Sequence, residues 1–286
     1  MPANNWVVVI PSYNRVDTLK DKTLRVLQEY KIPKSKIYVF VANEEQKALY
    51  EEGVGKDVGH IVVGVKGLAE VRNEIFKHFP KGKRLVCMDD DIRGLIEFDG
   101  SKKRHERPLV NLEKVFERGF EECQKAGAKL WGIYPSPNGF FMKDNVTTDL
   151  RFIIGSFWGC LNPGDDSAYM LKLGQFGSEK EDYQRTLQFW EADGAVVRLN
   201  FVSAKTAYYK EPGGMQEGDR VGKQRKTVKA MIKKWPQYIK MNPRRKSGYP
   251  EILLVKQKAG NAVNAVNAVN AVNAVNVTRK IKRRED

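Results

Sequence analysis

Three consecutive carboxylates, Asp89, Asp90 and Asp91, directly follow the apolar run Arg84-Leu-Val-Cys-Met88. Carboxylates placed against a buried strand are costly unless something cationic meets them. Strand alternation aims Asp89 and Asp91 to one side. Two hard oxygen donors at the C-terminal rim of a parallel sheet suit Mg²⁺ or Mn²⁺ and leave positions for phosphate oxygens. That rim is also where open α/β sheets take their ligands. The competing reading is a solvated acidic turn, and the position after a strand favours the metal.

A second acidic group, Glu179-Lys-Glu-Asp-Tyr183, opens a helical stretch. Carboxylates there either cap the helix or act as a general base facing the metal. Pro11, Ser12, Tyr13, Asn14 and Arg15 form the first strand-to-helix turn, which suits a nucleoside held by backbone groups and short polar side chains. Neither GxGxxG nor GxxxxGK[ST] occurs, which disfavours a dehydrogenase or a P-loop enzyme. A diphosphate must then be neutralised by the cation and by nearby Arg and Lys. Arg72 and Asn73, early in a helix, either reach the same cleft or make surface contacts. His60, His78 and His105 show no ligand spacing.

The elements that must position these groups alternate in type. Apolar runs at 6–10, 37–42, 60–64, 84–88, 130–134, 151–158 and 195–202 predict strands. Helical periodicity over 17–30 (with Asp17 as cap), 44–52, 68–79, 111–126 and 179–190 predicts helices. Short alternating units imply an α/β fold with a mostly parallel sheet flanked by helices.

The 286 residues carry a net charge of +15, with 41% hydrophobic residues, enough for a sizeable core. The charge is uneven. Residues 1–204 hold 30 Lys and Arg against 29 Asp and Glu, whereas 205–286 hold 20 against 6. A neutral body with a basic end suits a polyanionic partner. Residues 223–246 contain ten basic residues and no acidic one, and Val228, Met231, Ile232 and Trp235 mark an apolar face. Residues 252–255 predict a short strand, and an Asn-Ala-Val repeat at 261–276 leads to a basic tail. The expected divisions are 1–218 for the α/β domain, 219–258 for a basic helical extension and 259–286 for the repeat and tail. Three distant cysteines (Cys87, Cys123, Cys160) predict a reducing, cytoplasmic setting. No apolar run is long enough for a membrane span, and no basic-then-apolar leader opens the sequence.

Together these stretches, over roughly residues 5–215, resemble glycosyltransferases of the GT-A fold. There a Pro-Ser/Thr-Tyr-Asn-Arg-like turn opens the nucleotide site, an Asp-x-Asp motif binds metal and diphosphate, and a later Glu-Asp pair supplies the base. Tyr134–Phe141, Ile153–Trp158, Glu179–Tyr183 and Glu211–Gln216 further resemble the TET/JBP-associated glycosyltransferases, related to the base J glucosyltransferase and often encoded by bacteriophages. The resemblance implies metal-dependent, inverting transfer of a sugar from a UDP-sugar to the hydroxymethyl group of 5-hydroxymethylcytosine or 5-hydroxymethyluracil in DNA. It implies Asp89 and Asp91 as metal ligands, Asp182 as base with Glu181 as the fallback, and Pro11 to Arg15, Asn43, Glu44, Arg72, Asn73, Asp90, Gly213, Gly214 and Gln216 around the donor. One departure stands out: no histidine follows His105 to serve as a late metal ligand. The cationic stretch with Trp235 and Tyr238 would meet DNA, and Phe140, Phe141, Tyr208 and Tyr209 would stack on an extruded base. The alternatives are a GT-A enzyme with a glycan or protein acceptor, a non-catalytic DNA-binding protein and a metal-dependent nuclease.

Overall fold

The computed structural model describes residues 5–206, 220–242 and 251–259. The first strand, β1 (Trp6–Pro11), is buried along its whole length. Its alternating side chains feed two cores: Val8 and Ile10 join one cluster, Val7 and Val9 the other. A run of branched apolar residues buried on both faces is what a central strand of a helix-covered sheet requires. The chain then forms α1 (Val16–Leu19), a π-helical turn over Lys20–Leu24, and α2 (Arg25–Glu29). Asp17 sits within the first turn rather than capping it. The cap position is Arg15, which makes no side-chain cap bond.

β2 (Ile37–Val41), α3 (Glu44–Val54), β3 (His60–Val63), α4 (Leu68–His78) and β4 (Arg84–Met88) follow as expected. The next two strands had no clear signal, and the short strands over Val146–Thr147 and Ile239–Met241 further on had none either. β5 (Ile92–Phe98) interrupts its apolar residues with exposed Arg93 and half-buried Glu97, and β6 (Glu106–Pro108) is short and polar. Next come α5 (Leu112–Ala126), β7 (Leu130–Tyr134), β8 (Val146–Thr147) and β9 (Phe157–Leu161). The strand expected over 151–158 thus starts only at Phe157. Residues 151–156 instead cross in front of the next long helix, where Thr186 Oγ1 accepts the Ile153 N–H at 3.2 Å. The chain continues through α6 (Leu173–Phe176), α7 (Glu181–Asp193), β10 (Val197–Thr206), α8 (Arg220–Lys234), β11 (Ile239–Met241) and β12 (Ile252–Leu254).

The main sheet has the order β3-β2-β1-β4-β9-β7-β10-β5-β6, with β8 also paired to β10. β1–β4, β6, β7 and β10 run one way, and β5, β8 and β9 run against them. The carboxyl ends of β1, β4 and β7 therefore share one rim. Beneath it, Trp131 fills the space left by two glycines. A Cβ on Gly119 of α5 or on Gly159 of β9 would collide with its indole.

The cationic segment is integrated with this body. Val228, Met231 and Trp235 pack in the same cluster as β1, α4 and α7, and Trp235 stacks on Phe176 at 5.0 Å. Trp235 and Tyr238 are buried, so they are core residues and not the DNA-facing aromatics the sequence suggested. β12 forms where a strand was expected and pairs antiparallel with β11.

Candidate active site

Asp89, Asp90 and Asp91 leave β4 and form the tight turn into β5. Alternation therefore does not govern them, and their settings diverge. Asp89 Oδ1 accepts from Arg72 Nη2 at 2.7 Å. Asp90 turns the other way, accepting from Ser12 Oγ at 2.6 Å and Arg15 Nη1 at 3.2 Å. Asp91 is half-buried and acts electrostatically on Lys22. Thr23, in the π-helical turn, braces all three: its hydroxyl donates to the Asp89 carbonyl at 2.7 Å and accepts the Ile92 N–H at 3.0 Å.

Desolvation raises Asp89 to about 7 against the pull of Arg72, and the neighbouring charges of Asp91, Asp90 and Glu181 push the same way. Burial also raises Asp90, opposed by the Ser12 hydrogen bond and Arg15. This crowding of hard oxygen donors is what a divalent cation relieves, so the residues fit such an ion. Among the described residues no three His, Cys, Asp or Glu side chains gather as a ligating cluster. Asp89 and Asp91 would share the ion with water and donor oxygens.

Several expected donor contacts prove to be internal. Arg72 is 1% exposed. It holds Asp89 and the Gly155 carbonyl (3.1 Å) from behind, so it positions the turn rather than touching a nucleotide. Both ends of the Asn73 amide are taken by the backbone of Leu171. Asp90 is likewise committed to the β1 turn. Asn43 caps α3, accepting the Gln46 N–H at 2.9 Å, and Glu44 lies exposed in that helix's first turn. Pro11 ends β1 in the core. Ser12 is tied to Tyr50 OH at 2.7 Å, and Asn14, in left-handed conformation, pairs with the Gln46 amide at 2.6 Å. Tyr13 stays partly open, with Lys66 Nζ 5.0 Å from its ring centre. Gly213, Gly214 and Gln216 lie outside the described residues, as do Tyr208 and Tyr209.

The second acidic motif meets the first across Gly155. A Cβ there would stand 3.0 Å from Glu181 Oε1 and 3.6 Å from Asp182 Cβ, while its carbonyl is held by Arg72. The two carboxylates are not equivalent. Glu181 is buried and paired with Arg185 Nη1 at 2.5 Å, and Arg185 itself lies 4.0 Å from the Trp158 ring centre. Such a locked carboxylate cannot serve as the fallback base. Asp182 is less enclosed. Desolvation and the Glu181 charge push it up to about 6, against Arg185 and the Tyr183 N–H, which is the range of a working base near neutrality. The sequence reading missed Thr23, Gln46, Tyr50, Gly155, Trp158 and Arg185. Of these, Gly155 and Trp158 lie within the Ile153–Trp158 stretch that carries the resemblance, which assigns them no role.

A profile of the TET-associated glycosyltransferases matches residues 6–154, which takes in β1, the Pro11–Arg15 turn and the carboxylate turn. The chain belongs to the TET-associated glycosyltransferase family. Its sheet and helices form the GT-A fold. GalNAc-T7, solved with UDP, GalNAc and Mn²⁺, superposes with a TM-score of 0.52 at 11% identity, over 80% of this chain and 47% of that one. S. aureus TarS 1–349 gives a TM-score of 0.46 at 13% identity, over 68% of this chain and 58% of that one. Glucosyl-3-phosphoglycerate synthase from Mycobacterium tuberculosis gives 0.44 at 9% identity over 91% of both chains. The TET-associated chain thus spans about half the length of GalNAc-T7 and of TarS 1–349. No curated protein matches the sequence.

Proposed function

We propose that this protein transfers a sugar from a UDP-sugar to the hydroxymethyl group of 5-hydroxymethylcytosine or 5-hydroxymethyluracil in DNA. The observation that carries the reading is the meeting of the Asp89–Asp91 turn with Asp182 across Gly155 in a TET-associated glycosyltransferase. The solved GalNAc-T7 holds UDP and Mn²⁺, which supports a nucleotide-sugar donor with a divalent ion here. That ion would neutralise charge growing on the departing diphosphate.

The chain's own residues do the rest. Asp89 and Asp91 would hold the ion, which would supply positive charge for the donor's diphosphate, and Arg72 fixes Asp89 from behind. The ring of Tyr13 and the backbone of the Ser12–Arg15 turn border the nucleoside, while the Ser12 and Asn14 side chains hold that turn in place. Asp182 takes the proton of the hydroxymethyl group as its oxygen attacks the anomeric carbon. The bond from that carbon to the diphosphate oxygen breaks, and UDP leaves. A single displacement of this kind inverts the anomeric centre. A general base contributes typically about 10²–10⁴-fold. The cationic face of α8 meets phosphates of the acceptor, with Lys226, Lys229 and Lys233 exposed on a helix whose other face is anchored in the core.

The test incubates the protein with hydroxymethylated DNA, Mn²⁺ and a panel of sugar nucleotides, then weighs the digested nucleosides. One nucleoside gaining a single glycosyl mass is the expected result. No gain with any donor, or gain only on a glycan or protein acceptor, overturns it.

A further inference from the structure

A second surface, which the donor site does not use, lies at the end of β5 away from the carboxylate turn. The β5–β6 connection projects Lys102, Lys103 and Arg104 into solvent, and none of the three forms an ion pair among the described residues. The connection is ordered from within. Asp99 and His105 close it backbone to backbone at 2.9 Å, and Ser101 Oγ donates to Asp99 at 2.6 Å. A cleft of about 510 Å³ runs beneath it, where Arg104 stands with Glu29, Glu106 and the ion-paired Arg107 and Lys205.

Beside these cations stand aromatics. Phe140 and Phe141 are 67% and 63% exposed, unusual for residues that folding would otherwise bury. They belong to the loop after β7, which leaves the same rim as the Asp89 turn. Glu106 Oε2 accepts the Gly139 N–H at 3.1 Å and ties that loop to the β5–β6 tip. The rings continue inward: Phe140 meets His105 at 5.2 Å, and His105 stacks on Phe98 at 6.3 Å. β5 starts one residue past Asp91 and runs away from the carboxylate turn, so Phe98 lies about 20 Å from Ile92 along the strand and the tip lies just beyond it.

Solvent-facing rings beside unpaired cations match one ligand chemistry: unstacked bases on a phosphate chain. We infer that the β5–β6 tip and the Phe140–Phe141 loop form a docking surface for an unpaired stretch of DNA that flanks the nucleotide held at the donor site. This inference rests on the DNA-acceptor reading and specifies it, because a duplex hides the base faces that the rings would stack on.

Anisotropy of a labelled single-stranded oligonucleotide and of its duplex, measured over a salt series with no sugar nucleotide present, tests it. Replacing Lys102, Lys103 and Arg104 by Gln should weaken single-strand binding about tenfold or more at low salt. It should also flatten the salt slope by about two, since each of the three cations accounts for roughly 0.7. Phe140→Ala with Phe141→Ala should weaken single-strand binding about fivefold or more, leave the salt slope in place and spare duplex binding. All five side chains are exposed, so unchanged melting temperatures confirm folded variants. Unchanged single-strand binding in both variants overturns the inference. So does equal loss of duplex binding in the aromatic variant. The outcomes separate from the transferase reading. Sugar transfer that survives both variants with binding intact leaves the reaction standing and removes this surface. Weakened binding without sugar transfer to any DNA does the reverse.

Discussion

At the residue scale, the account turns on two neighbouring carboxylates with different settings. In the proposed mechanism Asp182 is the base, whereas Glu181 is a buried partner of Arg185. Asp182→Asn should lower kcat by about 10²-fold or more with little change in melting temperature, whereas Glu181→Gln should chiefly destabilise. A base must be unprotonated to act. With Asp182 near 6, kcat should fall about tenfold per pH unit below 6 and level off above 7, and a flat profile from pH 5 to 8 would contradict the assignment. Asp89 near 7 adds a separate signature: cation binding needs its ionised form, so Mn²⁺ affinity should rise between pH 6 and 8. Removing Arg185 would leave Glu181 charged and buried without its partner. Arg185→Ala should therefore cost about 3–5 kcal/mol in chemical denaturation.

At the element scale, what was legible followed from periodicity. Trp6–Ile10, Ile37–Val41 and Leu130–Tyr134 are apolar runs flanked by turn residues, and each is a strand. β5 was hidden because its outward positions carry Arg93 and Glu97 in a strand that is only half-buried. Residues 151–156 look like a strand by composition, but the Ile153 N–H donates to Thr186 on α7, and the Leu150 N–H just before them donates to the distant Gln257 carbonyl. The acidic turn was visible as a site, while its geometry was not: alternation stops at Met88, and Thr23 sets the turn from a π-helical segment that no local pattern announces. π-helical turns inside helices recur at functional sites. Thr23→Val removes both braces and leaves the buried Ile92 N–H unpaired. Stability should drop by about 1–3 kcal/mol, and KM for the donor should rise more than kcat falls, as steady-state kinetics would show.

At the scale of the whole molecule, a nearly neutral α/β body carries its excess charge at one end. α8 joins the two, because Val228, Met231 and Trp235 anchor it in the core shared by β1, α4 and α7. Composition alone marked α8 as cationic, and its apolar spacing marked it as packed. The assignment of Trp235 to DNA failed because a large ring on the apolar face of a helix stabilises most when fully buried. DNA affinity should fall steeply with salt. Gln at Lys226, Lys229 and Lys233 should reduce the slope of log K against log salt by about 0.9 for each duplex phosphate no longer neutralised, measured by filter binding. A slope unchanged by these substitutions would separate α8 from the acceptor.

The central claim is that the Asp89–Asp91 turn holds the donor while Asp182 performs the proton transfer. Calorimetric titration of UDP with Mn²⁺ into the wild type, Asp91→Asn and Asp182→Asn tests it most directly. The account predicts Mn²⁺-dependent UDP binding in the wild type, its loss in Asp91→Asn and its retention in Asp182→Asn. Undiminished binding by Asp91→Asn, or abolished binding by Asp182→Asn, would contradict it.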